Sequence, residues 1–297
     1  MSQVLNDLSN GLADAVETAG QSVLRVEARR RMPATGIAWS ADGAIVTAHH
    51  VVQRDENITV GLPDGQEAGA SLVGRDPTTD LAVLRTDARL QPPAWVEADD
   101  LKVGQLVLAL GRPGRTVQAT LGIVSALGQS WRTAAGGTVD RYLQTDVVMY
   151  AGFSGGPLVD VAGRVVGLNS SALLRGVSPA LPVATLRRVA ETLLAHGRMR
   201  RGYLGVSTQR VRLPDALAEQ LGQETGLLVA NVVADSPAAR GGLFLGDTVV
   251  AVAGEPVRHH DDLLARVGGD QIGQTLSIRV LRGGQVQDVD VVVGEHD

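Results

Sequence analysis

The chain has 297 residues and a net charge of −5, which argues against the basic surface that nucleic-acid binding uses. With no cysteine it cannot form disulfides, use a thiol nucleophile or hold a metal through sulfur. A hydrophobic share of 44% and a charged share of 20% fit a globular protein of about two domains, and 36 glycines favour turn-rich β structure.

In residues 1–21, Val4, Leu8, Leu12 and Val16 recur every four positions among polar residues, the pattern of a short amphipathic helix. The segment has neither the basic start nor the apolar run of a signal peptide. No stretch approaches the roughly 18 apolar residues of a membrane span. As given, the chain is expected to be cytoplasmic; a removed leader would place it in the periplasm or outside the cell. Arg29-Arg30-Arg31 reads as a solvated turn rather than a functional patch.

Short strands are predicted over 22–28, 35–40, 43–48, 57–62, 81–85, 105–110, 121–126, 142–145, 158–161 and 165–168, with a hairpin signal at Asp42-Gly43. So many strands without alternating helices point to an antiparallel barrel or sandwich. A helix is predicted over 184–196, with Leu186, Val189, Ala190, Leu193 and Leu194 on one face. Its end is followed by a basic segment bounded by Gly197 and Gly202, so the expected division is a domain at 22–197, a linker at 198–202 and a second domain at 203–297. That second part mixes strands at 203–206, 226–233, 248–253, 275–281 and 285–293 with helices at 214–221 and 261–267. A further short helix begins at Ser236-Pro237, a capping residue followed by proline.

Three segments carry the residue types of nucleophilic catalysis. His50 closes Thr47-Ala48-His49-His50, Asp80 opens Asp80-Leu81-Ala82-Val83, and Ser154 stands in Gly152-Phe153-Ser154-Gly155-Gly156-Pro157. A serine hydroxyl needs a base to become a nucleophile, histidine titrates near neutrality, and a carboxylate fixes the imidazole tautomer. The backbone N–H groups of Gly152 and Ser154 are the expected oxyanion donors, and glycines let such a turn aim them. Each segment is weak alone; the order His, Asp, Ser at separations of 30 and 74 residues makes chance hard to sustain. His50 rather than His49 is assigned as the base. It directly precedes Val51-Val52, and neighbours on an extended segment face opposite ways.

These segments, with Gly74 to Leu84, Gln144 to Val159, Val165 to Asn169, and in the second part Arg201 to Val206, Ser236 to Asp247, Val252 to Val257 and Val280 to Gly284, resemble the HtrA (Deg) family of trypsin-like serine proteases. The likeness implies a mainly β chain: a chymotrypsin-like double β-barrel protease domain followed by a small α+β PDZ domain. It implies a serine endopeptidase that cuts unfolded or signalling polypeptides without cofactor or metal. Its expected partners are polypeptide substrates and C-terminal peptides. A peptide would add beside Tyr203-Leu204-Gly205-Val206, with Leu264 and Val267 of the facing helix in its side-chain pocket or in the domain core.

Three departures stand out. Phe153 occupies a position where the family usually carries Asn, so the oxyanion turn is either mis-set at rest or held by packing. Residues 31–36 leave little room for the long loop some members insert. The first 21 residues lack the aromatic residues with which many members pack a trimer, so the resemblance does not carry a trimer to this chain; a homo-oligomer stays open. Val148, Met149, Leu168 and Ser170 are expected to wall the first substrate pocket, uncharged and suited to a small or medium aliphatic residue. The polar loop 128–140 is expected to be a mobile surface loop or a relay from the PDZ domain to the oxyanion turn. The rival reading is a catalytically weak pseudoprotease acting as a peptide-binding or chaperone-like module.

Overall fold

The computed structural model describes residues 2–30, 32–97, 100–174, 176–200 and 202–295. Arg31 of the basic run and Arg201 of the expected linker lie outside the described residues. The chain forms two compact units, Met1–Met199 and Arg200–Asp297.

The first unit opens with helix α1 (Ser2–Gly20), as the fourfold spacing predicts. Ala15 and Ala19 are buried and Leu12 and Val16 pack on the same core, whereas Val4 and Leu5 on the first turns are exposed. Strands β1 (Val23–Glu27), β2 (Ala34–Ala38), β3 (Ala44–Ala48), β4 (Ile58–Gly61), β5 (Glu67–Asp76) and β6 (Leu81–Thr86) close a barrel in the order β1-β2-β3-β6-β5-β4. Every residue of β2 and β3 is buried, so these strands read as runs of small and β-branched residues, Thr35 and Thr47 among them, rather than alternations.

The second barrel comprises β7 (Leu106–Gly111), β8 (Gln118–Leu127), β11 (Leu143–Thr145), β12 (Pro157–Val159), β13 (Val165–Asn169) and β14 (Ser178–Pro182), closed in the order β11-β14-β13-β12-β7-β8. Between β8 and β11 a small hairpin pairs β9 (Trp131–Arg132) with β10 (Thr138–Val139). Loop 128–140 therefore contains a pair of short strands. Helix α2 (Val183–His196) ends on Gly197, whose left-handed backbone places its N–H on Leu193 O.

In the second unit, β16 (Val206–Arg212), β17 (Thr225–Val232), β18 (Thr248–Val252), β20 (Thr275–Arg282) and β21 (Gln285–Val292) form a sheet in the order β16-β17-β18-β20-β21, and β19 (Glu255–Pro256) pairs with β18. Helix α3 (Asp215–Leu221) follows Pro214, α4 (Pro237–Gly241) is capped by the Ser236 hydroxyl accepting from Ala239 N–H, and α5 is His260–Arg266. The strand expected over 203–206 is broken. β15 (Gly202–Tyr203) pairs with β22 (Gly294–Glu295), and a new strand begins at Val206. Gly205 makes the break, with φ +82° and room for no Cβ, which would lie 2.2 Å from Ser236 Cβ.

Candidate active site

The register of the first barrel sets Ala48 opposite Leu81, so the turns after β3 and before β6 emerge at one end. His50 lies on a single 3-10 turn, His49–Val51, rather than on extended chain. Asp80 takes a left-handed conformation, φ +59°, unusual for a residue with a side chain. The preceding turn is fixed by the Asp76 carboxylate, which accepts from the Thr78 N–H and from the hydroxyls of Thr78 and Thr79.

These turns join His50 to Asp80. Imidazole Nδ1 lies 2.8 Å from Oδ2 and 3.0 Å from Oδ1, and the His50 N–H donates to Oδ1 at 2.8 Å. Asp80 is buried, and its Oδ2 also accepts from the Ser170 hydroxyl. With Nδ1 engaged, Nε2 is the ring nitrogen left to take a proton. His49 is held differently. Its backbone N–H donates to Asp80 O, but its ring Nδ1 is buried with no hydrogen-bond partner among the described residues. Burial first, then the nearby Arg75 charge, lowers its pKa below the ordinary histidine value.

Ser154 sits on the turn before β12, threaded between the two barrels. Gly152 and Gly155 have φ of +92° and +86°. A Cβ on Gly155 would lie 2.1 Å from Thr35 O and one on Gly156 2.1 Å from Leu110 O, so glycine is required for conformation at two positions and for space at the third. The turn is tied by Phe153 N–H to Tyr150 O, Gly155 N–H to Asn169 O and Gly156 N–H to Phe153 O. Among the described residues, the N–H groups of Gly152 and Ser154 have no hydrogen-bond acceptor. Two free amides flanking a serine are what an oxyanion site needs. The Ser154 hydroxyl pairs with that of Ser171 at 3.0 Å, and among the described residues no hydrogen bond joins it to the imidazole.

Phe153 is fully buried in the second barrel's core, edge-on to Tyr150 with ring centroids 5.7 Å apart. Packing of Phe153 thus seats the turn, in line with the second of the two alternatives raised by the sequence.

Two expected pocket residues turn elsewhere. The Leu168 side chain is fully buried in the core, and the Ser170 hydroxyl faces Asp80. Val148 is exposed and Met149 half-buried. The hairpin of β9 and β10 packs beside the Asp80 turn: the Thr133 hydroxyl donates to Thr78 O at 2.5 Å. Thr35, Ser171 and Tyr150 escaped the sequence reading, because nothing in their spacing marks them.

In the second unit, Tyr203 is half-buried, and Leu204 is buried with its carbonyl accepting from Ala238 N–H. The Gly205 carbonyl accepts from Val233 N–H. Val206 opens β16, an edge strand whose outer side is unpaired in the sheet. Thr208 of β16 meets His260 of α5, with Oγ1 and Nδ1 3.1 Å apart. Leu264 is 47% exposed, whereas Val267 is buried in the unit's core. Among the described residues no group of three His, Asp or Glu could hold a metal.

Residues 34–168 match the trypsin-like peptidase domain family, and residues 202–293 match the PDZ domain family. A probable periplasmic serine endoprotease DegP-like of Pseudomonas putida is 39% identical over 267 residues, covering 88% of this chain and 55% of that protein. A protein of the same description from Halomonas elongata is 39% identical over 273 residues, covering 90% and 57%. The chain spans about half the length of the curated relatives it matches. Their names say periplasmic and lend no support to the cytoplasmic expectation. Among solved structures, the HtrA-type protease AlgW with decapeptide superposes with a TM-score of 0.78 at 31% identity, covering 96% of this chain and 99% of that one. A serine endoprotease from Yersinia pestis gives 0.76 at 32%, covering 96% and 98%. With nearly the whole of such structures matched, the chain belongs to the HtrA-type protease family.

Proposed function

We propose that the protein is a serine endopeptidase in which Ser154 is the nucleophile, His50 the general base and Asp80 the residue that orients it. The observation that carries this reading is the doubly hydrogen-bonded His50–Asp80 pair, accompanied by two unengaged amides, Gly152 and Ser154 N–H, on the serine turn. Imidazole Nε2 takes the Ser154 proton as Oγ attacks the scissile carbonyl. The two amides stabilise the oxyanion, and the imidazolium then protonates the leaving amine. Attack requires the Ser154 hydroxyl to leave Ser171 and turn to His50.

Substrates are polypeptides, with a small or medium aliphatic residue before the scissile bond seated against Val148 and Met149. The PDZ unit binds C-terminal peptides as an added strand on the outer side of β16, under α5. Like its named relatives, the protein works in the periplasm. It acts as an enzyme rather than as an inert peptide-binding module, since the three triad residue types are retained.

The test is reaction with a fluorophosphonate probe followed by mapping of the adduct. Modification at Ser154, abolished in Ser154→Ala, supports the reading. An unmodified protein, even with denatured polypeptide and a PDZ-binding peptide present, favours the pseudoprotease. A cleavage profile dominated by Arg or Lys before the scissile bond refutes the pocket assignment.

A further inference from the structure

We propose that Thr35 is the positioning residue of the oxyanion turn, an inference that rests on the protease reading above. Thr35 lies on β2 of the first barrel, fully buried and 117 positions from Gly152 in sequence. Its hydroxyl donates to Gly152 O at 2.6 Å and accepts from Arg112 N–H at 2.9 Å. Its backbone N–H donates to Ser154 O at 3.3 Å, and its carbonyl accepts from the Thr47 hydroxyl at 2.6 Å. One buried residue thus holds the carbonyls on either side of Phe153, with both its own ends fixed in turn.

The peptide plane is what makes these bonds matter. A planar amide held at its oxygen cannot rotate its N–H independently. The 152–153 peptide is held at both edges, by Thr35 at Gly152 O and by Tyr150 O at Phe153 N–H. The 154–155 peptide is held likewise, by Thr35 N–H at Ser154 O and by Asn169 O at Gly155 N–H. The two oxyanion amides belong to the peptides next to these. With the neighbouring planes locked, the φ of +92° at Gly152 sets the direction in which the Gly152 N–H points. The Phe153 side chain supplies apolar anchorage but no hydrogen bond, so the side-chain polar part of that task falls to Thr35.

Thr35→Val keeps the side-chain shape and removes the hydroxyl, stranding Gly152 O and Arg112 N–H in the interior. Thr35→Ser keeps the hydroxyl. Turnover of a peptide substrate selected with the unaltered chain, and the fluorophosphonate labelling rate, are measured for each. We expect Thr35→Val to lose about 10–100-fold in kcat and in labelling, with KM within about twofold, since a misaimed donor forfeits part of the ~10²–10³-fold that a deleted one does. Thr35→Ser is expected to stay within about threefold of the unaltered chain. If Thr35→Val does not fold, Thr35→Cys, with its weak S–H donor, replaces it in the same comparison. Equal losses in the Ser and Val variants, a change confined to KM, or unaltered kcat in Thr35→Val overturns the proposal. Failure of the unaltered chain to label at Ser154 overturns the protease reading, and this proposal with it.

Discussion

Phe153 lies directly against Gly111: a Cβ on Gly111 would come within 2.4 Å of the Phe153 ring carbon Cδ1. The absence of a side chain at Gly111 of β7 is what lets a large ring enter the second barrel from the serine turn. The turn is therefore seated by apolar burial, and its geometry depends on that seat.

Gly111→Ala is expected to push the ring outward and disturb the turn with it. Overpacking a filled core costs about 1–3 kcal/mol. Phe153→Asn is expected to cost about 3–5 kcal/mol, the range of large-to-small core changes at aromatic positions, although it restores the residue type usual in the family. Urea unfolding measures both costs, and fluorophosphonate labelling of Ser154 reads the turn. A Phe153→Asn protein as stable as the unaltered chain would show that packing is not the anchor.

Ser171 holds the Ser154 hydroxyl at 3.0 Å, in competition with the imidazole. A hydrogen bond of this kind is worth about 0.5–1.5 kcal/mol net, or about 2–10-fold in an equilibrium. Ser171→Ala is therefore expected to raise the labelling rate of the resting protein by about that factor, with Ser154→Ala as the blank. A rate that falls instead makes Ser171 a helper of the nucleophile rather than its restraint.

His50, Asp80 and Ser154 could be proposed from the sequence because chemistry restricts their residue types and because each lies in a short motif. Gly155 and Gly156 were legible for the same reason; the close approaches of Thr35 and Leu110 explain why the motif has glycine there. Thr35 and Ser171 were not: the buried Thr35 hydroxyl meets Gly152 across the two barrels and Ser171 meets Ser154 from an exposed turn, and neither contact leaves a spacing to read. Ser170 was read as a pocket wall because proximity to the site was inferable but side-chain direction was not. In the fold, β14 was missed because Pro179 and Pro182 argue against a strand, and β5 because its alternation is built on Gly and Ala as well as Leu and Val. The division of Tyr203 from Val206 hinges on the left-handed Gly205, which a stretch of apolar residues hides.

Leu264 is on α5, beside the strand whose edge is open, and about half of it is in solvent although it is apolar. Leu264→Asp is expected to weaken binding of apolar C-terminal peptides by about tenfold or more, since a buried Leu is worth about 1.5–3 kcal/mol. Stability is expected to change by less than about 0.5 kcal/mol, as for other exposed positions. Fluorescence anisotropy with a labelled peptide measures the first and urea unfolding the second. Val267→Asp is expected to unfold the unit, because Val267 belongs to its core. Unchanged affinity in Leu264→Asp would remove this face of α5 from the proposed peptide site.

Asp247 and Arg282 form a bidentate pair, Nε to Oδ1 and Nη2 to Oδ2, both at 2.7 Å, while Phe244 N–H donates to Oδ2 at 2.8 Å. Burial opposes ionisation of Asp247, but the Arg282 hydrogen bonds, the Phe244 amide and the Arg282 charge together outweigh it, so its pKa lies below the ordinary value. A carboxylate depressed on folding stabilises the folded form fully above its unfolded value of about 3.9, and that contribution is lost as pH falls through the folded value. Amide-exchange protection of β17 and β20 is therefore expected to be flat in this contribution at neutral pH and to fall below about pH 4. Asp247→Asn removes the charge, and its protection is expected to start lower at pH 7 and to fall less steeply in acid. The deficit at pH 7 should be about 2 kcal/mol, below the 3–5 of a fully enclosed pair, because 31% of the Arg282 side chain remains exposed. Parallel pH profiles for the two proteins would mean that Asp247 is not ionised more readily in the folded unit than in the unfolded chain.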